Sequence, residues 1–262
     1  MSRWRLTPDG EPISTPHTGS LLIPVLHDGA PAILKITTEE EEVRGANLMV
    51  WYGGDGAARV LAHEGPALLL ERLTGTRDLA RMARAGHDDE ASRIICAVVT
   101  RLHAPRSRPL PASLVPMAVW FRQLEPAAAR YGGILTKSAA AAGELLASPQ
   151  EIVALHGDVH HGNILDGGER GWLAIDPKGV LGERGFDYAN LFRNPDAMVA
   201  TAPGRLQRQV RIVAEAGKLD PRRLLTWILA YAGLGAAWTL DSGGEDGAGL
   251  TIAAAAASQL GV

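Results

Sequence analysis

A single cysteine, Cys96, occurs in 262 residues, so no intramolecular disulfide can form and nothing requires an oxidising compartment. Basic charge is not in excess either: 26 Lys and Arg face 29 Asp and Glu, a formal net charge of −3. Such a chain lacks the basic stripe that nucleic-acid binding demands and is better suited to cationic ligands. The N-terminus, Met1-Ser2-Arg3-Trp4-Arg5, leads into polar sequence without the apolar core of a secretory signal. The C-terminal stretch that contains Ala253–Ala257 falls short of the roughly 20 apolar residues that span a bilayer. No internal repeat is visible. These absences point to a cytosolic protein without a nucleic-acid or membrane partner. The remainder is an ordinary globular composition, 46% hydrophobic and 21% charged. It suffices to bury a sizeable core in one large domain or two lobes.

The periodicity changes along the chain. Leu21–Leu26 and Ala32–Ile36 read as strands around a turn at His27-Asp28-Gly29-Ala30-Pro31. Glu39 to Tyr52 reads as a helix whose acidic start, Glu39–Glu42, suits a helix N-terminus. Arg59–Ala62 and Ala67–Leu73 read as two more strands. Beyond residue 78 the pattern turns helical, over Asp88–His103, Val119–Arg130, Ser138–Leu146, Leu206–Ala216, Pro221–Thr239 and Thr251–Leu260. One hairpin interrupts it, with strands Asn163–Leu165 and Trp172–Ile175 around Gly167-Gly168-Glu169-Arg170. The layout is α+β: a strand-rich N-terminal lobe, residues 1–73, and a mainly helical C-terminal lobe, residues 74–262.

The densest polar cluster is His156-Gly157-Asp158-Val159-His160-His161-Gly162-Asn163. Its residue types would suit a zinc hydrolase, but such a site needs further ligands, and no histidine follows His161. Phosphoryl transfer fits better. A kinase-type loop uses an Asp to take the hydroxyl proton and an Asn five positions on to hold magnesium, the spacing of Asp158 and Asn163. The hairpin then delivers a second carboxylate, Asp176, for magnesium that bridges the phosphates.

The segment Leu155 to Leu165, followed by Ile175-Asp176-Pro177, resembles the aminoglycoside phosphotransferase family. Gly171 to Pro177 and Gly182-Glu183-Arg184-Gly185-Phe186-Asp187-Tyr188-Ala189-Asn190 resemble, more narrowly, its streptomycin 6-phosphotransferase branch. So do Arg3-Trp4-Arg5-Leu6, Gly56 to Val60, Arg101 to Arg106, Asp220 to Leu225 and Ala236-Ala237-Trp238, so the resemblance covers nearly the whole chain. It implies a bilobal protein-kinase-like fold and ATP- and Mg2+-dependent phosphorylation of a streptomycin hydroxyl, the 6-position, giving antibiotic resistance. Phosphorylation of another small molecule, such as hydroxyurea or a different aminoglycoside, is the alternative. A pseudokinase is the other rival, but it would have lost one of Lys35, Asp158, Asn163 or Asp176, and all four are present.

The resemblance also assigns roles. Lys35 matches the strand lysine that contacts nucleotide phosphates, with Glu42 as its helix partner. Glu71 to Leu73 is the expected hinge, where backbone groups bind adenine, and Thr15 to Ser20 occupies the place of the phosphate-covering loop. Asp158 is the catalytic base, Asn163 and Asp176 the metal ligands, and Asp187 a brace for the catalytic loop. His156 orients that loop. Asp241, Glu245 and Asp246 are candidates for the guanidinium groups of the drug, since carboxylates pair with guanidinium bidentately. Trp120, Trp227 and Trp238 are read as core.

Overall fold

The computed structural model describes residues 4–15 and 19–262. Arg3 and residues 16–18, the middle of the expected phosphate cover, lie outside the described residues. Six strands form one antiparallel sheet: β1 (Leu6–Pro8), β2 (Ile13–Thr15), β3 (Ser20–His27), β4 (Ala30–Ile36), β5 (Val60–Glu64) and β6 (Ala67–Glu71). Their order is β1-β3-β4-β6-β5, with β2 also on β3. The β3–β4 hairpin closes with His27 opposite Ala30. Asp28 and Gly29 between them have φ of 50° and 82°, the positive values that a two-residue type I′ turn needs and Asp-Gly supplies.

Strand alternation sorts the side chains of this sheet. Val25, Ala32, Leu34 and Leu69 form a small apolar cluster with Leu6 on one face, while Leu68 and Leu70 join the main core on the other. Lys35 follows Leu34 and lies across the ladder from Leu68, so it faces the second side. The helix Glu40–Tyr52 covers that side. It begins with Glu40, Glu41 and Glu42 in its first turn and stops at Gly53, which takes the left-handed conformation that ends helices.

Two further sheets sit below. β9 (Ile164–Asp166) and β10 (Trp172–Ala174) form the expected hairpin. β7 (Val115–Pro116), β8 (Ile152–Leu155) and β11 (Val180–Glu183) form a three-stranded sheet in the order β7-β11-β8. Periodicity did not separate this sheet, because its strands are short and pair across the motif between them. The β9–β10 hairpin is tied to the first sheet: Ala58 N–H donates to the Ala174 carbonyl at 2.9 Å, and Ala174 N–H to that of Gly56 at 2.9 Å.

The helical layer surrounds Pro221–Asp241, which packs against Ile134–Ala147 and Gly247–Leu260. Asp220 caps it by accepting from Arg223 N–H at 2.7 Å, and Pro221 sits in the first turn, where a missing N–H costs nothing. By length and composition this helix is apolar enough to cross a membrane, yet 72% of that span is buried inside the fold. The core is continuous, from Leu48 and Met49 through Leu102, Leu155 and Ile164 to Trp227 and Ala253.

The expected helix Val119–Arg130 is in fact two, Met117–Trp120 and Leu124–Tyr131. Pro126 has no N–H to give a helix running through it, so the second helix starts late enough to hold Pro126 in its first turn. The helix read as Ser138–Leu146 begins earlier, at Ile134, directly after Gly132 and Gly133.

Candidate active site

Between the first sheet and the β9–β10 hairpin lies a cavity of about 410 Å³. Ile33, Leu68, Leu70, Ala46 and Met49 line it from the sheet and first helix, Leu165 and Ile175 from the hairpin, and Glu71 to Leu73 run along its rim. Its charged end carries Lys35, Glu42, Asn163 and Asp176. The Lys35 ammonium is paired with both Glu42 and Asp176. Lys178 joins the same cluster, 2.8 Å from Glu42, 3.4 Å from Asp176 and 3.5 Å from Glu41. Burial alone would raise the Asp176 pKa, but the charges of Lys35 and Lys178 outweigh it and hold the carboxyl down to about 2.

Local backbone features bring these groups together. Asp176 takes a left-handed conformation, φ 60°, uncommon for a residue other than glycine and a form of strain that concentrates at functional sites. Gly45 faces the following residue so closely that a Cβ there would collide with the Pro177 carbonyl oxygen. Only glycine lets the first helix approach the Asp176–Pro177 segment and place Glu42 beside it.

Asp158 sits on the loop after β8. Its Oδ1 accepts from Asn190 Nδ2 at 2.9 Å, and its Oδ2 accepts from Asn163 Nδ2 at 3.2 Å, with His160 3.6 Å away. Asn163 Nδ2 also donates to the Asp158 carbonyl at 2.9 Å, so the amide is held by its nitrogen and the amide oxygen is the atom that could ligate a metal. Burial pushes the Asp158 carboxyl pKa up, but the neighbouring His160, His156 and Lys178 more than offset this and keep it low. The carboxylate is therefore the resident form, held in one orientation by two amides.

The loop itself is braced from behind. Buried Asp187 accepts from the amides of His156 at 2.9 Å and Gly157 at 2.8 Å, and lies 2.7 Å from His103 Nε2. His156 Nδ1 accepts the Asp158 N–H at 3.2 Å, so its proton sits on Nε2 and donates to the Ile175 carbonyl at 2.8 Å. Burial lowers its pKa, consistent with a neutral ring. His156 thus couples the catalytic loop to the segment carrying Asp176. Of the three histidines of the motif, His156 and His160 are engaged by different partners and His161 by none, and no group of three or more His, Cys, Asp or Glu able to hold a metal exists among the described residues. The oxygen donors of Asn163 and Asp176 instead fit a hard cation such as Mg2+, which is commonly held by one or two protein groups together with substrate phosphates.

On the other side of Asp158 opens a second cavity, of about 760 Å³. Its lip carries Glu39, Glu40 and Glu41 at the start of the first helix, its wall the aromatic Trp120, Tyr231 and Trp238, and Arg44, Arg122 and Lys178 add basic charge. Trp120 and Trp238 meet edge to face, ring centroids 5.9 Å apart, and the Trp120 indole N–H is buried without a partner. Of the three tryptophans read as core, only Trp227 is fully so, at 1% exposure; the other two face this cavity.

The carboxylates proposed for the drug lie elsewhere. Asp241 accepts from the Tyr131 hydroxyl at 3.0 Å, Glu245 is exposed, and Asp246 caps the last helix through Gly249 N–H at 2.7 Å while pairing with Arg193 at 2.5 Å. None of the three lines either cavity. The acids beside Asp158 are Glu39, Glu40 and Glu41, whose sequence signature is that of a helix start. Glu71 has both its carboxylate and its N–H engaged: the carboxylate is paired with Arg170 and accepts from Arg59 N–H at 2.7 Å, and the Glu71 N–H donates to the Arg59 carbonyl at 3.0 Å. Asn190 and Lys178 carried no signal of their own, being placed by packing.

Residues 3–243 match the family described as aminoglycoside/hydroxyurea antibiotic resistance kinase. The chain is similar to a streptomycin 3''-kinase of Klebsiella pneumoniae, 49% identical over 93% of this chain and 92% of that one. It is similar also to a streptomycin 6-kinase of Streptomyces griseus, 34% identical over 93% and 81% of the two chains. Among solved structures, the aminoglycoside phosphotransferase APH(3'')-Id of Streptomyces rimosus, in complex with ADP and streptomycin, superposes with a TM-score of 0.57. That pair is 20% identical and covers 86% of this chain and 91% of the other. A choline/ethanolamine kinase family protein of Mesorhizobium loti gives 0.60 at 14% identity, over 98% and 86%. The fold is thus α+β and protein-kinase-like.

Proposed function

The chain belongs to the aminoglycoside/hydroxyurea antibiotic resistance kinase family, and from that premise we propose that it transfers the γ-phosphoryl group of Mg-ATP to a hydroxyl of streptomycin, conferring resistance in the cytoplasm. The observation that carries this reading is the meeting of two unlike cavities at Asp158 and Asp176. One is apolar, with the Lys35 ammonium and the oxygens of Asn163 and Asp176 at its end. The other carries four carboxylates, Glu39, Glu40, Glu41 and Asp158, against the three cations Arg44, Arg122 and Lys178, together with aromatic rings, and its carboxylates and rings suit the guanidinium groups of a polycation. On this reading residues 1–73 form the lobe that covers the nucleotide, and residues 74–262 the lobe that carries the catalytic loop and the acceptor.

Lys35, kept in place by Glu42, binds the nucleotide phosphates, and the backbone of Glu71 to Leu73 receives the adenine. Mg2+ held by Asn163 and Asp176 would neutralise phosphate charge. Asp158 orients the acceptor hydroxyl through its free lone pairs. As the acceptor oxygen bonds to phosphorus and the bond to the ADP oxygen breaks, the hydroxyl proton passes to the Asp158 carboxylate. A carboxylate with a lowered pKa is a weak base, which suits a loose transition state in which the proton moves late. Positioning supplies most of the acceleration.

The acceptor is read as the 6-hydroxyl from the motif, whereas the relative at 49% identity is named for the 3'' position. Hydroxyurea is neutral and far smaller than a cavity of about 760 Å³, which favours the aminoglycoside. Incubation of the protein with Mg-ATP and streptomycin should yield a singly phosphorylated drug by mass spectrometry, absent with Asp158→Ala. Phosphorus-coupled NMR of that product then distinguishes 6 from 3''. Phosphorylation of hydroxyurea but not streptomycin would overturn the substrate assignment.

A further inference from the structure

We propose that Lys178 is a second catalytic lysine, which holds the phosphoryl group as it passes from the nucleotide cavity to the acceptor cavity; this deepens the kinase reading above and rests on it. Lys35 and Lys178 are arranged as a pair. Glu42 holds Lys35 with Oε2 and Lys178 with Oε1, and Asp176 holds Lys35 with Oδ1 and Lys178 with Oδ2. Two carboxylates thus fix two ammonium groups at the corners of one four-membered ring. The two lysines open on different sides: Lys35 lines the nucleotide cavity and Lys178 the acceptor cavity, beside Asp158 and Gly157.

The backbone holds Lys178 in register with the catalytic loop. Its N–H donates to the His156 carbonyl at 2.6 Å, and a Cβ on Gly157 would stand 3.1 Å from the Lys178 Cβ. The side chain is only 10% exposed, so its ammonium acts in a site shielded from water, where a fixed charge has more effect. A further cation at this place favours the transfer. In a loose phosphoryl transfer, negative charge spreads over the three equatorial oxygens midway between donor and acceptor. Between Asp158 and Asn163 the loop supplies only Val159, His160, His161 and Gly162, with no Lys or Arg. Lys35 is occupied on the nucleotide side. Of the basic residues lining the acceptor cavity, Arg44, Arg122 and Lys178, it is Lys178 that is paired with Glu42 and Asp176 at the divide.

The test compares equilibrium binding of Mg-ADP alone with Mg-ADP plus aluminium fluoride, a planar mimic of the phosphoryl in transit, by calorimetry on the full-length protein. Wild type should bind the fluoride complex more tightly than ADP. Lys178→Met should keep its ADP affinity within about two-fold yet lose most of that gain, with turnover on streptomycin lower by about 10²–10³-fold, the usual effect of removing one such stabilising group. Lys178→Arg should recover part of both. A Lys178→Met protein that keeps the fluoride gain overturns the proposal. So does equal loss of ADP and fluoride-complex affinity, which would make Lys178 a support for Lys35. Should Lys178→Met unfold, Lys178→Arg and Lys178→Gln carry the comparison, and equal fluoride gain in the two overturns the proposal. Wild type that binds ADP and shows the gain, but leaves streptomycin unmodified, sinks only the substrate reading.

Discussion

The two cavities share a wall, the segment Asp176–Lys178, and otherwise have little in common. The nucleotide side is built from a regular sheet and one helix, with aliphatic walls and charge confined to one end. The acceptor side is assembled from a helix start, a loop and two distant helices, and it mixes carboxylates with indole and phenol rings. A flat base with a polyphosphate tail needs the first arrangement; a polycation with many hydroxyls needs the second. On the proposed reading, the difference places the catalytic groups at the border, where both cavities must be aligned at once, and delegates recognition outward to each side.

That division can be broken at several depths. The largest effect is expected at the border. Asp158→Ala should cost about 10³–10⁴-fold in turnover while leaving the affinity for ADP, measured by calorimetry, close to wild type. Lys35→Met should show the opposite asymmetry, weakening ADP binding and lowering kcat/KM for ATP by about 10²-fold or more, with little change in equilibrium binding of streptomycin. If both variants lose both ligands, the two cavities are not independent.

A smaller effect concerns the loop between Asp158 and Asn163. His161 is 3% exposed, both its ring nitrogens lack partners, and burial, with help from the charge of Arg205, pushes its pKa down to about 4. The unfolded chain binds this proton near pH 6.5 and the folded one does not, so stability is lost as pH falls from about 6.5 to about 4. At about 1.4 kcal/mol per unit that amounts to roughly 3 kcal/mol. Urea unfolding should show this acid limb in wild type and a flatter one in His161→Leu. Smallest of all, Glu40→Gln with Glu41→Gln should raise KM for streptomycin by only a few-fold, because exposed charges interact weakly. The increase should shrink at high salt, and KM for ATP should stay unchanged.

How far each part was legible follows from how local it is. Asp158, Asn163 and Asp176 are joined by a single hairpin, and that combination, more than the Asp-Asn spacing, groups them in the sequence. Lys35 was singled out through its resemblance to the family's strand lysine, since by itself a lysine after apolar residues reads as a solvated strand end. Lys178 lay next to a recognised motif without being read, since two residues of spacing do not reveal that it would join Glu42, 136 positions away. Trp120 and Trp238 looked like core because indoles usually are; their position at the edge of the core depends on how three helices cross. Asp241 and Asp246 looked available for a cation, but Tyr131 and Arg193 had already engaged them.

By itself, the sequence determined the elements of short reach: strand and helix periodicity, the Asp28-Gly29 turn, the helix stops, and the kinase-type spacing from Asp158 to Asp176. Those depend on steric and hydrogen-bonding rules that act over a few residues. Tertiary structure alone decided which carboxylates face the acceptor, which lysine stands between the two cavities, and which indoles remain at a surface. Those outcomes depend on the packing of segments more than a hundred residues apart, where a close approach such as Gly45 against Pro177 decides the geometry and leaves no local periodicity to read.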